Sequence, residues 1–297
     1  MTLSGSCTAL ITPFRDGRID EPALRRLVEF QIAEGTAALV PCGTTGEAAT
    51  MTGDEIERVI AIVAEAVNGR VPVVAGTGGN CTATTIERTR RARALGADAA
   101  LVVAPYYNKP TQEGLFAHFT AVADEGGLPV LLYNVPGRTS VNVLPETVLR
   151  LASHPGIIGV KEASGSLDQA SQIVREAPDG FAVLSGDDSL TLPMLSVGGQ
   201  GVVSVASNIA PGAVAALAAA GMAGDFATAR RLHLELFDLF RALFVETNPV
   251  PVKTAAAMLG LCAPDVRLPL VPLTEASQRR LESALAACAL LREAVAA

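Results

Sequence analysis

Eight short apolar or β-branched runs recur along the chain, at residues 8–12, 38–41, 71–75, 99–103, 130–133, 157–160, 182–184 and 202–205. Between them lie segments with helical periodicity, for example 21–33, 54–67, 84–95, 115–123 and 167–176. The runs are apolar on consecutive positions, which is the pattern of strands buried on both faces of a parallel sheet covered by helices. A doubly wound sheet would place a G-x-G-x-x-G turn after the first strand, and Thr12, Pro13 and Phe14 stand there instead. Eight strand–helix units in 297 residues therefore predict an α/β fold, a (β/α)8 TIM barrel. After the eighth strand the composition turns Ala- and Leu-rich, with helical stretches at 211–220, 223–244, 251–261 and 275–296. The first closes the barrel, so the expected division is a barrel over 1–222 and a C-terminal helical region packed on it over 223–297.

The chain carries a net charge of −7 and no Lys/Arg-rich block, which argues against a nucleic-acid surface. Its longest apolar stretches, such as 213–220, fall far short of the roughly 18 residues a membrane-spanning helix needs. Residues 1–14 lack the basic and apolar regions of a signal peptide, and five scattered cysteines without C-x-x-C spacing read as reduced thiols; both point to the cytoplasm.

In a barrel of this kind the reactive groups sit at the C-terminal strand ends. Of 23 basic residues only Lys109, Lys161 and Lys253 are lysines, so any amine chemistry is confined to three positions, because arginine keeps its proton. Lys161 follows directly on the apolar run 157–160, and a desolvated amine at a barrel mouth can attack a carbonyl. The alternatives for it are an ion pair with Glu162 or a ligand-binding cation. Lys109 and Lys253 fit surface and packing roles. Thr44 and Thr45, between Gly43 and Gly46, offer hydroxyls and N–H groups to a carboxylate, or form an ordinary turn. Tyr133 at the end of the fifth run can pass protons or pack the barrel. Arg138 can fork onto a substrate carboxylate or pair with an acidic residue across its loop. His118, His154 and His233 are too scattered for a metal or Ser-His-Asp site. The glycine clusters 76–79 and 198–201 read as close-packing turns, and Asp187 and Asp188 as a helix cap or a cation site.

Gly43-Thr44-Thr45-Gly46-Glu47, Tyr133 through Thr139, Gly159-Val160-Lys161-Glu162-Ala163 and Asn248 through Lys253 together closely resemble the dihydrodipicolinate synthase (4-hydroxy-tetrahydrodipicolinate synthase) family, within the N-acetylneuraminate lyase superfamily. The resemblance covers nearly the whole chain. It implies a Schiff base between Lys161 and pyruvate, with the pyruvate carboxylate on Thr44 and Thr45 and backbone groups of Gly186 and Val203 lining the pocket. It further implies attack of the enamine on L-aspartate 4-semialdehyde and a proton relay through Tyr133, Thr44 and Tyr107, the last from a neighbouring subunit of a homotetramer built as a pair of dimers. No metal or organic cofactor is implied. Arg138 favours the synthase over lyases or aldolases of sugar acids, and a non-catalytic keto-acid-binding barrel stands as a third reading. The family's lysine-feedback site maps to Ala48, Ala49, Gly53, Ile56, Asn80, Thr84 and Tyr106. Lysine-sensitive members often carry a glutamate where Thr84 stands, so weak or absent lysine inhibition is expected.

Overall fold

A computed structural model describes residues 1–288 of the chain. Eight parallel strands form the barrel: β1 (Gly5–Ala9), β2 (Ala38–Val40), β3 (Val74–Gly76), β4 (Ala99–Val103), β5 (Val130–Asn134), β6 (Ile157–Glu162), β7 (Ala182–Ser185) and β8 (Gly201–Ser204). Their order in the sheet is β2-β1-β8-β7-β6-β5-β4-β3, and a parallel bridge from Leu39 to Val73 joins β2 to β3 and closes the ring. The expected (β/α)8 barrel is therefore the observed fold.

Helices α1 (Glu21–Ala33), α2 (Gly53–Val67), α3 (Thr82–Ala94), α4 (Gln112–Glu125), α5 (Pro145–Ala152), α6 (Leu167–Glu176), α7 (Thr191–Ser196) and α8 (Pro211–Met222) surround the strands. Beyond them lie α9 (Phe226–Ala242), α10 (Val250–Met258) and α11 (Glu275–Ala287). The stretch expected to be helical to 296 is helical to Ala287, and its part beyond 288 lies outside the described residues.

The two largest shifts from the sequence expectation, in β1 and β3, each have a local reason. The first strand was expected over 8–12, but its ladder to β8 begins at Gly5 opposite Gly201. Ile11 and Thr12 leave the sheet: the Ile11 N–H donates to Asn208 Oδ1 at 3.0 Å and the Thr12 hydroxyl to the Gly46 carbonyl at 2.7 Å. The third strand starts at Val74 rather than 71. Pro72 has no N–H to give a ladder, and only its carbonyl is used, by Leu39 N.

The strands bury two apolar layers. Leu10, Val102, Leu132, Val160 and Val183 face the helices, whereas Cys7, Ala38, Ala99, Leu131, Leu184 and Val203 fill the barrel. Small side chains from β1, β2 and β4 leave the larger ones of β5 and β7 room to interdigitate, as close packing requires. Residue alternation along β5 and β6 then decides which polar groups enter the interior.

Candidate active site

Tyr133 on β5 and Lys161 on β6 are ladder neighbours and point the same way. The Lys161 Nζ lies 4.2 Å from the centre of the Tyr133 ring, and Tyr133 belongs to the interior layer. Lys161 is 5% exposed. Its neighbour Glu162 faces the other way, where Oε2 accepts from Asn134 Nδ2 at 3.1 Å and Gln169 Nε2 at 3.0 Å, and Oε1 from the Ser164 N–H at 2.6 Å. Strand alternation thus rules out the Lys161–Glu162 ion pair, and among the described residues Lys161 has no carboxylate partner. Cys7 from β1 is close enough to feel the amine, yet burial pushes its thiol up to about 12 against that attraction. The thiol stays neutral, so it supplies no counter-anion.

Gly186 follows β7 and must be glycine. A Cβ there would fall 2.6 Å from Ala163 Cβ and 3.2 Å from Lys161 Cε, so its absence gives the lysine stem its channel. The Gly186 N–H donates to the Glu162 carbonyl at 2.8 Å, extending the β6–β7 pairing past the strand end. Val203 is fully buried on β8 opposite Cys7.

The 41–47 turn after β2 carries the two threonines. Thr44 is exposed and lines a cavity of about 360 Å³ together with Tyr133, Gly43, Tyr106 and Arg88. Thr45 is buried, and its Oγ1 accepts from Asn248 Nδ2 at 2.9 Å. Glu47 closes the turn with φ +55° and turns inward to Lys253, Nζ to Oε1 at 2.6 Å, with both side chains fully buried. The other oxygen, Oε2, accepts the Arg267 N–H at 3.2 Å. Phe14 lies beneath both cations, each 4.2 Å from its ring centre. Desolvation pulls the Lys253 amine below its usual range, and Glu47 opposes this. Lys253 is therefore a structural cation rather than a surface one.

Arg138 sits in a one-turn helix, Pro136–Thr139, after β5. Its side chain is exposed, and Nη2 donates to the Asn248 carbonyl at 3.4 Å; it forms no cross-loop ion pair among the described residues. Tyr107 stands apart from the interior group, 90% exposed with φ +73° on the loop after β4. Asp187 caps a turn through the Ser189 N–H at 2.9 Å. Asp188 is buried and accepts from Ser204 Oγ and the Val205 and Ala206 N–H groups, which engages both of its oxygens. Asn248, Lys253 and Arg267 had no assigned role at the site on sequence grounds. The pairing of Asn248 with Thr45 across 203 residues leaves no local pattern to read.

A profile of the dihydrodipicolinate synthetase family matches residues 2–288. The 4-hydroxy-tetrahydrodipicolinate synthase of Pelobacter propionicus is 58% identical over 277 residues, 93% of this chain and 96% of that protein. The solved structure of the corresponding synthase from Methylacidiphilum fumariolicum SolV superimposes with a TM-score of 0.96 at 48% identity, covering 99% of this chain and 98% of the other. A dihydrodipicolinate synthase from Acinetobacter baumannii, solved in complex with pyruvate, gives a TM-score of 0.95 at 43% identity, over 97% and 100% of the two chains.

Proposed function

Because the chain belongs to the dihydrodipicolinate synthetase family, we propose that it condenses pyruvate with L-aspartate 4-semialdehyde to give 4-hydroxy-tetrahydrodipicolinate, in lysine and diaminopimelate biosynthesis. The observation that carries the mechanism is Lys161: a buried amine at the mouth of the barrel, against a tyrosine ring, with no carboxylate to hold it as a permanent ion pair. An amine so placed is spared the competition of a fixed counter-ion when a carbonyl arrives.

The Lys161 Nζ adds to C2 of pyruvate and expels water as an imine. Loss of a C3 proton gives the enamine, whose C3 forms the new carbon–carbon bond to the aldehyde carbon while the aldehyde oxygen takes up a proton. The amino group of the former aldehyde then displaces Lys161 from C2 and closes the ring. Tyr133, whose ring faces the amine, carries the proton, and Thr44, on the cavity wall it shares with Tyr133, continues the path toward solvent. Thr44 and Thr45 receive the keto-acid carboxylate, with backbone groups of Gly186 and Val203 beside it. Arg138 offers its guanidinium to the carboxylate of the semialdehyde. In this reading Tyr107, exposed in a single chain, completes the relay of a neighbouring subunit within a homotetramer. The work is assigned to the cytoplasm, in keeping with five cysteines scattered along the chain without C-x-x-C spacing.

Trapping with borohydride in the presence of pyruvate tests the central step. The mass of the reduced adduct should fall on the peptide containing Lys161, and Lys161→Arg should abolish both adduct and turnover while leaving the fold intact, because a guanidinium forms no such imine. An adduct on Lys109 or Lys253, or turnover by Lys161→Arg, would overturn the assignment.

A further inference from the structure

Asn248 is 5% exposed and joins two of the proposed substrate-binding groups: its Nδ2 donates to Thr45 Oγ1, and its carbonyl accepts from Arg138 Nη2. Its Oδ1 is buried with no hydrogen-bond partner among the described residues. Such an orphaned acceptor is costly and calls for a physical reason.

The reason lies in the single proton of the Thr45 hydroxyl. If the amide presented its oxygen, Thr45 would donate to it, and only lone pairs would remain to meet an incoming carboxylate. If the amide presents its nitrogen, the hydroxyl accepts that bond and keeps its own proton to donate. The orientation present strands the oxygen end, so hydrogen-bond satisfaction in the free chain does not favour it. The requirement to bind an anion does.

We infer that Asn248 is a positioning residue that fixes the Thr45 hydroxyl as a donor toward the keto-acid carboxylate. This rests on the reading above that Thr45 receives that carboxylate. Asn248→Asp is the near-isosteric reversal: an ionised carboxylate only accepts, and so draws the Thr45 proton to itself. The half-saturating pyruvate concentration for the borohydride-trapped adduct should rise about ten- to hundredfold, the range for one lost hydrogen bond to a charged group. It should fall again as pH is lowered and the new carboxyl protonates, since it can then donate. Asn248→Ala, which merely frees the hydroxyl, should raise it less.

The same measurements in a Thr45→Val background separate positioning from simple charge repulsion. If Asn248 acts through Thr45, Asn248→Asp and Asn248→Ala each lose most of their effect there; a direct repulsion would persist. Equal effects of Asp and Ala at all pH values, or additivity with Thr45→Val, would overturn the inference. Should the Asp variant not fold, the Ala and Val pair alone decides by the same additivity criterion. Failure of the unsubstituted protein to form any pyruvate adduct would overturn the proposed function together with this step, whereas a normal adduct with additive variants overturns this step alone.

Discussion

In the proposed reading Arg138, whose Nη2 donates to the main-chain carbonyl of Asn248, offers its guanidinium to the carboxylate of the semialdehyde. Arg138→Ala should leave formation of the pyruvate adduct largely intact while kcat/KM for the semialdehyde falls steeply. Losing a charge-assisted contact costs on the order of 2 to 5 kcal/mol when one partner is left buried, as the bound substrate carboxylate would be, and the check is adduct formation and condensation measured side by side. Equal loss of both would make Arg138 structural. At this scale the sequence is most informative where a residue type is rare. Three lysines in the whole chain draw attention to Lys161, and the strand period then tells it apart from Glu162, whose partners lie on the outer face. Asn248 is illegible by the same standard, because its meaning comes from Thr45 and Arg138, 203 and 110 residues away.

Among the elements, the turn after β2 is held from outside the barrel. Lys253 of α10 reaches Glu47 in a fully buried ion pair. Removing one partner of such a pair strands the other charge, so Lys253→Met should cost roughly 3 to 5 kcal/mol in urea unfolding. Glu47→Gln added to it should restore part of the loss, and simple additivity would contradict the pairing. A second clamp is Arg267, whose guanidinium meets both oxygens of Glu55 in the first turn of α2 and the Gly17 carbonyl of the hairpin Phe14–Ile19. Hydrogen bonding from Arg267 holds the Glu55 carboxyl down at about 2. A depressed carboxyl stabilises the fold above its unfolded pKa near 4.5 and ceases to do so as pH falls toward 2. For this part-exposed pair that contribution should be about 1 to 2 kcal/mol after solvent screening. An Arg267→Ala protein should therefore show a flatter dependence of unfolding free energy on pH between 4.5 and 2; an unchanged slope would refute the pairing. The barrel strands were legible from apolar runs because each is buried on both faces. The elements that escaped periodicity, such as α7 (Thr191–Ser196) and the one-turn helix at Pro136, are too short to show a period.

Over the whole molecule, the cavity lined by Thr44 and Tyr133 is also lined by Ala48, Ala49 and Tyr106, positions to which the family resemblance assigns a lysine effector. The charged side chain on its wall is Arg88, and Thr84 is an exposed neutral residue. The ammonium groups of a lysine brought there would find no carboxylate among the residues lining the cavity, which disfavours burial of their charge. Titration of initial rate with L-lysine at subsaturating pyruvate should show weak inhibition or none. Half-inhibition below about 1 mM, a binding free energy near −4 kcal/mol or better, would show that an acidic group outside this wall takes the missing role. The contacts from Asn248 to Thr45, Lys253 to Glu47 and Arg267 to Glu47 also tie the turn after β2 to residues synthesised 203, 206 and 220 positions later. On a ribosome all eight strands are complete by Ser204, while the turn that carries the threonines still awaits its last restraints. On the proposed reading, competence to hold a keto acid is thus acquired late, after most of the polypeptide has been made, and a growing chain carries Lys161 before the turn of the threonines is held.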